Sequence, residues 1–157
     1  MGFYEQLRER VETSGCEVMD HALLFPSDPR GAFDREWKLI KIFHANRSDA
    51  IDDLPDACVL AHEFGHFRSL QAGQQSARYH EIIDRPDPGR EDGEMGAELS
   101  EEDKALVIAE EERAWDYGRE ELAALGFDHW EVFEQERRRG LEEYGRRLSK
   151  SQLRVGE

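Results

Sequence analysis

With 157 residues, 36% of them charged and 38% hydrophobic, the chain is long enough for one domain with a single modest core. Its formal net charge of −15 argues against a nucleic-acid-binding surface and against attachment to anionic lipid, because both carry negative charge themselves. If the chain binds a macromolecule, a protein or peptide of basic character is the electrostatically favoured partner.

The N-terminal part predicts a helix followed by a small sheet. Apolar residues recur every four positions, as expected for a short amphipathic helix over residues 3–13: Phe3, Leu7 and Val11. Short apolar segments bounded by proline and glycine follow between residues 16 and 46, and they predict two or three strands. The segment 37–43 is rich in β-formers, and we expect it at the edge of the sheet, where an extended peptide can add as a strand.

A second helix is predicted from about residue 53 to residue 70. Asp53 can cap its start, and Pro55 is tolerated in the first turn because its missing N–H costs no hydrogen bond there. Apolar residues then occur on nearly all sides of the helix, which is typical of a central buried helix. This helix carries the sequence ACVLAHEFGHFRSL.

Residues 73–99 are rich in proline, glycine and acids. A loop of this length in a small domain is either a functional lid or a disordered segment, and the sequence leaves both open. A short helix near residues 77–83 is expected to interrupt it. The predicted organisation is therefore a single domain over residues 1–150, with 73–99 as its flexible loop or lid, and a tail over residues 151–157.

Two further helices are predicted after this loop. Ser100 and Asp103 are typical of a helix start, and Gly126 stands in the usual position after a helix end. The last helix begins near Asp128 and carries an apolar stripe: Trp130, Phe133, Leu141, Tyr144 and Leu148. Together the elements predict a small α+β domain in which a short sheet packs on the second helix and the later helices close the core.

The sequence also bears on the cellular compartment. It contains no run of about 18 apolar residues, so no membrane-spanning helix is predicted. The N-terminus lacks the apolar segment of a secretory signal. Because two cysteines, Cys16 and Cys58, are too few for a disulfide framework, we expect a reduced, cytoplasmic protein.

The motif with chemical potential is His62-Glu63-Phe64-Gly65-His66, which fits the pattern H-E-x-x-H. Residues four apart on a helix lie one turn above each other, so both imidazoles can reach one ion. Glu63 is turned about 100° from His62, where it does not ligate but can accept a proton from water as a general base. Zinc suits two imidazoles with one further protein ligand and an open fourth position.

The residues after the motif narrow the choice of third ligand. A metzincin would continue with glycine and a third histidine, but this chain has Ser69 and Ala72 at those positions. An aspartate ligand would follow soon after the second histidine, and no aspartate occurs before Asp84. A glutamate from a later helix remains.

Helical periodicity selects among three consecutive acids, Glu110, Glu111 and Glu112. Glu111 shares one stripe with apolar or small residues: Val107, Ala114, Gly118, Leu122 and Leu125. An unpaired carboxylate on that face would be costly, which favours Glu111 as the ligand and leaves its two neighbours as alternatives. The small residues at 114 and 118 would let this helix lie close to the metal helix.

The pattern of His62, Glu63 and His66 followed by Glu111-x-x-Ala114 resembles the gluzincin arrangement of zinc metallopeptidases. The order of elements is similar to that of the small ImmA/IrrE-type metallopeptidases, which are intracellular and cleave regulatory proteins such as repressors. The resemblance implies a zincin-like fold with zinc held by the two histidines and Glu111. It also implies that Glu63 is the base in hydrolysis of peptide bonds.

The chain departs from this family in two respects. Trp115 stands where the family often has a small polar residue, and the acidic stretch 73–99 is long. Two other functions stay open: a non-catalytic, metal-stabilised module that binds a partner protein, and a zinc hydrolase of a non-peptide substrate. The intact Glu63 argues against the first, because a purely structural site has no use for a base.

A peptidase also needs a donor to stabilise the oxyanion of its tetrahedral intermediate. Three residues fit this role by type, and each also fits a structural or exposed position: Tyr79, His80 and His129. Cys58 lies one turn before His62 and is within reach of the metal, but it equally fits a small core residue. His44 ends the predicted third strand, either near the cleft or at an ordinary edge position.

Overall fold

The computed structural model describes residues 2–25, 29–45, 53–84 and 99–155. It is a small α+β fold, which confirms the predicted class. The predicted stretch 73–99 lies partly outside the described residues, and only its ends are described. The elements are α1 (Phe3–Thr13), β1 (Glu17–Ala22), β2 (Gly31–Asp34), β3 (Leu39–His44), α2 (Asp53–Gln71), α3 (Ala77–Asp84), α4 (Glu101–Ala124) and α5 (Trp130–Val155).

The three strands form one sheet in the order β1-β3-β2. β1 runs parallel to β3, with Val18 opposite Ile40, and β2 runs antiparallel to β3, with Phe33 opposite Ile40. β3 is thus hydrogen-bonded on both sides, and the prediction that residues 37–43 form an edge is wrong. Composition identifies a strand, but its neighbours are set by pairing between distant segments. In the described sheet, the edge beside the candidate site is β2.

Helix α2 lies at the centre of the molecule. Every residue from Asp56 to Phe67 is buried, as the apolar composition on all sides predicts. One side of the helix contacts β2 and β3, where Ile40 and Ile42 are fully buried. The other sides contact α1, α4 and α5. The helix that carries the histidines is therefore held by the sheet and by three other helices.

The closest helix packing is between α2 and α4. A Cβ atom added to Gly65 would lie 1.9 Å from the carbonyl oxygen of Ala114, and one added to Gly118 would lie 2.8 Å from the backbone of Ala61. Glycine on each helix therefore lets the two backbones touch. This confirms the close approach expected from the small residues at 114 and 118, and it brings the acids of α4 over the histidines of α2.

The ends of the later helices largely follow the local sequence signals. Ser100 and Asp103 form a reciprocal capping box at the start of α4, and Gly126 follows its end with φ of 79°. α3 occupies the position of the predicted short helix. The backbone of α5 remains helical to Val155, beyond the predicted start of the tail. None of the described helices has the length and apolar character needed to span a membrane.

Candidate metal centre

Helix α2 places two buried imidazoles one turn apart, with 4.7 Å between the ring centroids of His62 and His66. Glu111 of α4 reaches both rings. Its Oε2 lies 2.9 Å from Nε2 of His62, and its Oε1 lies 3.1 Å from Nε2 of His66. Glu111 is 2% exposed. The acid selected by helical periodicity is thus the one that lies between the two histidines.

Glu63 approaches the same cluster from the other side. Its Oε1 lies 3.4 Å from Nδ1 of His62, and the side chain lines the cleft described below. Gly31 at the start of β2 lies directly over it, because a Cβ there would stand 3.0 Å from Cγ of Glu63. His62, Glu63 and His66 each offer a donor atom within 4.8 Å of the others. Proximity alone therefore allows either Glu63 or Glu111 as the third ligand.

Glu110 also belongs to the site, although it was predicted only as an alternative ligand. Its Oε2 lies 2.7 Å from Nδ1 of His66, on the side of the ring opposite Glu111. Glu110 also accepts hydrogen bonds from Ser69, Gln75 and Arg113. Burial raises the pKa of Glu110, but the hydrogen bond from His66 and the other donors outweigh burial, and the net pKa is lowered.

The sequence carried only a weak signal for this role of Glu110. Arg113 follows it by three residues, which indicates an ion pair on the helix surface rather than a buried carboxylate. The partners Ser69 and Gln75 lie far away in the sequence and come close only because α2 and α4 touch. Glu112, the third acid of the run, is exposed and faces away from the histidines.

The cluster concentrates negative charge in a buried place. Glu63, Glu110 and Glu111 are 7%, 2% and 2% exposed, and the guanidinium of Arg113 lies 3.0 Å from Glu110. Burial raises the pKa of Glu111, but the charges of His66 and His62 lower it by a larger amount, so the net pKa is lowered. Burial lowers the pKa of His66, yet the charge of Glu111 and the hydrogen bond to Glu110 raise it well above its usual value.

This donor set fits a divalent cation. Buried carboxylates are stable only when paired, and a dication would offset charges that the two imidazoles offset only when protonated. Zinc bonds of about 2.0–2.1 Å in a tetrahedron separate the ligand atoms by roughly 3.3 Å. The separations of 2.9 and 3.1 Å between the Glu111 oxygens and the two Nε2 atoms are close to that value.

A cleft of about 1100 Å³ opens beside Glu63, His66 and Glu111. β2 and the turn after it form one wall, and α3 with α5 forms the other. Arg35 and Asp84 are paired across the cleft through two hydrogen bonds, one of them 2.7 Å long. The cleft therefore leads from the candidate metal ligands along the edge strand.

Two tyrosines line this cleft on the helical wall, Tyr79 from α3 and Tyr144 from α5. The charge of Glu111, burial and a hydrogen bond to Glu111 all raise the pKa of Tyr144. The prediction treated Tyr144 as part of an apolar stripe, because helical spacing does not report a hydroxyl group at the end of an aromatic ring. For Tyr79, burial is the main cause that raises the pKa. Both phenols therefore stay protonated near neutral pH.

The other predicted candidates lie elsewhere. His80 forms a 2.9 Å hydrogen bond with Gln75 and is not part of the cleft lining. His129 packs against Phe3 and Phe127. Cys58 is fully buried in the core, where burial raises its pKa to about 12.

His44, the remaining candidate, belongs to a separate cluster with Asp20 and Asp56, away from the cleft lining.

Comparison of the chain with protein-family models, curated proteins and solved structures found no match. The distances and burial of His62, Glu63, His66 and Glu111 are therefore the basis for assigning the chemistry of the candidate metal centre.

Proposed function

We propose that the chain is a zinc-dependent metallopeptidase that hydrolyses peptide bonds in a protein or peptide substrate. The observation that carries the proposal is the convergence of the His62 and His66 Nε2 atoms on Glu111, with Glu63 beside them at the cleft. The resemblance of these four residues to the gluzincin pattern supports the same function. The proposed fold is correspondingly zincin-like, with the sheet and α2 forming the peptide-binding side.

The proposed zinc ligands are His62, His66 and Glu111. Glu111 contacts the Nε2 atoms of both rings, whereas Glu63 approaches only Nδ1 of His62, at the longer distance of 3.4 Å. Both carboxylates line the cleft, where a base must meet water and substrate. The difference in their contacts with the imidazoles supports Glu111 as ligand and leaves Glu63 as the proposed general base.

When bound, zinc would polarise the scissile carbonyl and lower the pKa of water. Glu63 accepts the proton of the attacking water and returns it to the leaving amine. Tyr79, protonated and at the cleft wall, is the proposed donor to the developing oxyanion.

The proposed substrate is an extended peptide. β2 is an edge of the described sheet and lies beside Glu63, so a peptide can add to it as a further strand. The net charge of −15 favours substrates with basic segments. Two buried free thiols agree with the proposed cytoplasmic location.

The test compares Glu63→Gln, Glu111→Gln and the exposed control Glu112→Gln. Metal content is measured after dialysis against zinc-buffered solution, and hydrolysis is followed on labelled casein and on a mixed peptide library. Glu63→Gln should keep zinc and lose at least about a hundredfold in rate, while Glu111→Gln should lose most of its zinc. Glu112→Gln should match the wild type.

The outcomes separate the candidate functions. Full zinc occupancy in Glu111→Gln overturns the ligand assignment, and an unchanged rate in Glu63→Gln overturns the mechanism. Zinc binding without hydrolysis of any peptide, together with specific retention of a partner protein, favours the non-catalytic module. Hydrolysis confined to small esters or amides favours a non-peptide substrate.

A further inference from the structure

The two imidazoles of the metal centre are held in different ways. His66 is oriented by a hydrogen bond from Nδ1 to Glu110, at 2.7 Å. Among the described residues, the contact at Nδ1 of His62 is with Glu63, at the longer distance of 3.4 Å. Instead, one whole face of its ring lies on the indole of Trp115, with 4.3 Å between centroids and 10° between planes.

Trp115 is held firmly in place. The indole is 3% exposed and meets the ring of Phe133 edge to face at 5.5 Å. Its outer edge lies against Gly140 of α5, where an added Cβ would stand 3.0 Å from Cζ2. A side chain at position 140 would require the indole to shift by a few tenths of an ångström, so α5 packs closely against the indole at this glycine.

The indole is not held by its polar atom. Nε1 of Trp115 is buried and has no hydrogen-bond partner among the described residues. A buried N–H without a partner is unfavourable, and a phenyl ring would avoid it. The contact that Trp115 does make with the candidate site is the flat contact with the imidazole of His62.

We infer that Trp115 is the positioning residue of His62. Its face fixes the plane of the imidazole, because the ring cannot rotate about its Cβ–Cγ bond without leaving the parallel stack. In that plane Nε2 points at Glu111. The stack thus does for His62 what the hydrogen bond to Glu110 does for His66, and groups that orient metal ligands tune metal affinity. The inference rests on the proposed metal centre.

The first test measures Zn²⁺ and Co²⁺ affinity by competition with a chromophoric chelator. Trp115→Phe keeps a flat ring, and Trp115→Leu removes it. Phe127→Leu is the matched control, because it removes a buried aromatic ring whose ring contacts are with Phe3, His129 and Trp130 rather than with Trp115 or His62. We expect Trp115→Leu to weaken metal binding by roughly 10- to 100-fold, and Trp115→Phe and Phe127→Leu by no more than about threefold.

The second test needs no destabilising substitution at the site. The chain has three tryptophans, so replacing Trp37 and Trp130 by phenylalanine leaves Trp115 as the sole emitter. Its emission should change on Zn²⁺ addition and saturate at one ion per chain. The converse variant, Trp115→Phe with Trp37 and Trp130 retained, should show no such change.

The results distinguish two failures. A wild type that binds neither ion overturns the metal centre itself. A wild type that binds metal while Trp115→Leu binds equally well, or loses no more affinity than Phe127→Leu, overturns only the positioning role. If Trp115→Leu does not fold, the emission test decides, and constant emission across saturation contradicts the inference.

Discussion

Nδ1 of His66 lies 2.7 Å from Oε2 of Glu110, while Nε2 of the same ring lies 3.1 Å from Oε1 of Glu111. Two consecutive acids of α4 therefore hold opposite sides of one imidazole. This is possible because the glycines of α2 and α4 bring the two backbones into contact. The two acids therefore contact His66 differently: Glu110 contacts Nδ1, and Glu111 contacts Nε2.

Glu110→Gln should weaken metal binding by roughly 10- to 100-fold while leaving the three proposed ligands in place, since a neutral amide orients and polarises His66 less than a carboxylate does. The measurement is chelator competition at neutral pH. Glu112→Gln, two residues further along the helix at an exposed position, is the control and should bind as the wild type does. Equal affinities for all three proteins would show that the contact with His66 is only structural.

Gly31→Ala should reduce hydrolysis by roughly ten- to a hundredfold with metal content unchanged, because small displacements of a catalytic group are costly. An added Cβ would stand 2.7 Å from Cγ1 of Val59 and 3.1 Å from Oε1 of Glu63, so the base must shift. Steady-state rates and zinc stoichiometry are measured together. Ala22→Ser, at an exposed position of β1 outside the cleft lining, is the control, and wild-type rates in Gly31→Ala would contradict the role assigned to Glu63.

Gly65→Ala should destabilise the fold by more than the roughly 1–3 kcal/mol of ordinary overpacking, because the clash at 1.9 Å is with the backbone of Ala114. Gly145→Ala in α5 is the matched control, since an added Cβ there meets no atom within 4 Å. It should stabilise the protein by up to about 1 kcal/mol through helix propensity. Urea unfolding measures both, and similar stabilities would contradict the tight packing of α2 on α4.

His44 predicts a pH dependence of stability that is separate from the metal centre. Its Nδ1 lies 2.7 Å from Asp56, and its Nε2 lies 2.7 Å from Asp20. Carboxylates only accept, so both contacts are hydrogen bonds when the ring carries two protons. Burial lowers the pKa of His44, but the bonds to Asp20 and Asp56 outweigh burial, and the net pKa is raised. Tyr4 and Arg8 also face Asp20, and Arg30 faces Asp56.

Because the folded-state pKa is raised, the stabilisation is fully present below the unfolded value of about 6.5 and is lost as pH rises through the folded pKa. The free energy of unfolding of the wild type relative to His44→Gln should therefore fall above pH 6.5, by at most about 1.4 kcal/mol per pH unit. Urea titrations of both proteins between pH 6 and 9 measure it. The histidines of the metal centre are common to both, so parallel curves would contradict the prediction.

The sequence alone determined the features that depend on neighbours along the chain. Periodicity and capping signals predicted the helices, and the four-residue spacing predicted that His62 and His66 face one point. Helical phase also favoured Glu111 among three acids because it shares a stripe with apolar and small residues, but phase did not predict that Glu110 would be equally buried. The functional roles of these residues stay predictions until the metal and the activity are measured.

Only the tertiary structure decided the features that join distant segments. It made β3 the central strand, brought Ser69 and Gln75 to Glu110, and laid the indole of Trp115 on His62. None of these contacts follows from spacing, since strand order and helix approach depend on packing between elements far apart in the chain. The sequence thus determined which donors the α2 helix presents, and the packing of α4 and α5 decided what holds them in place.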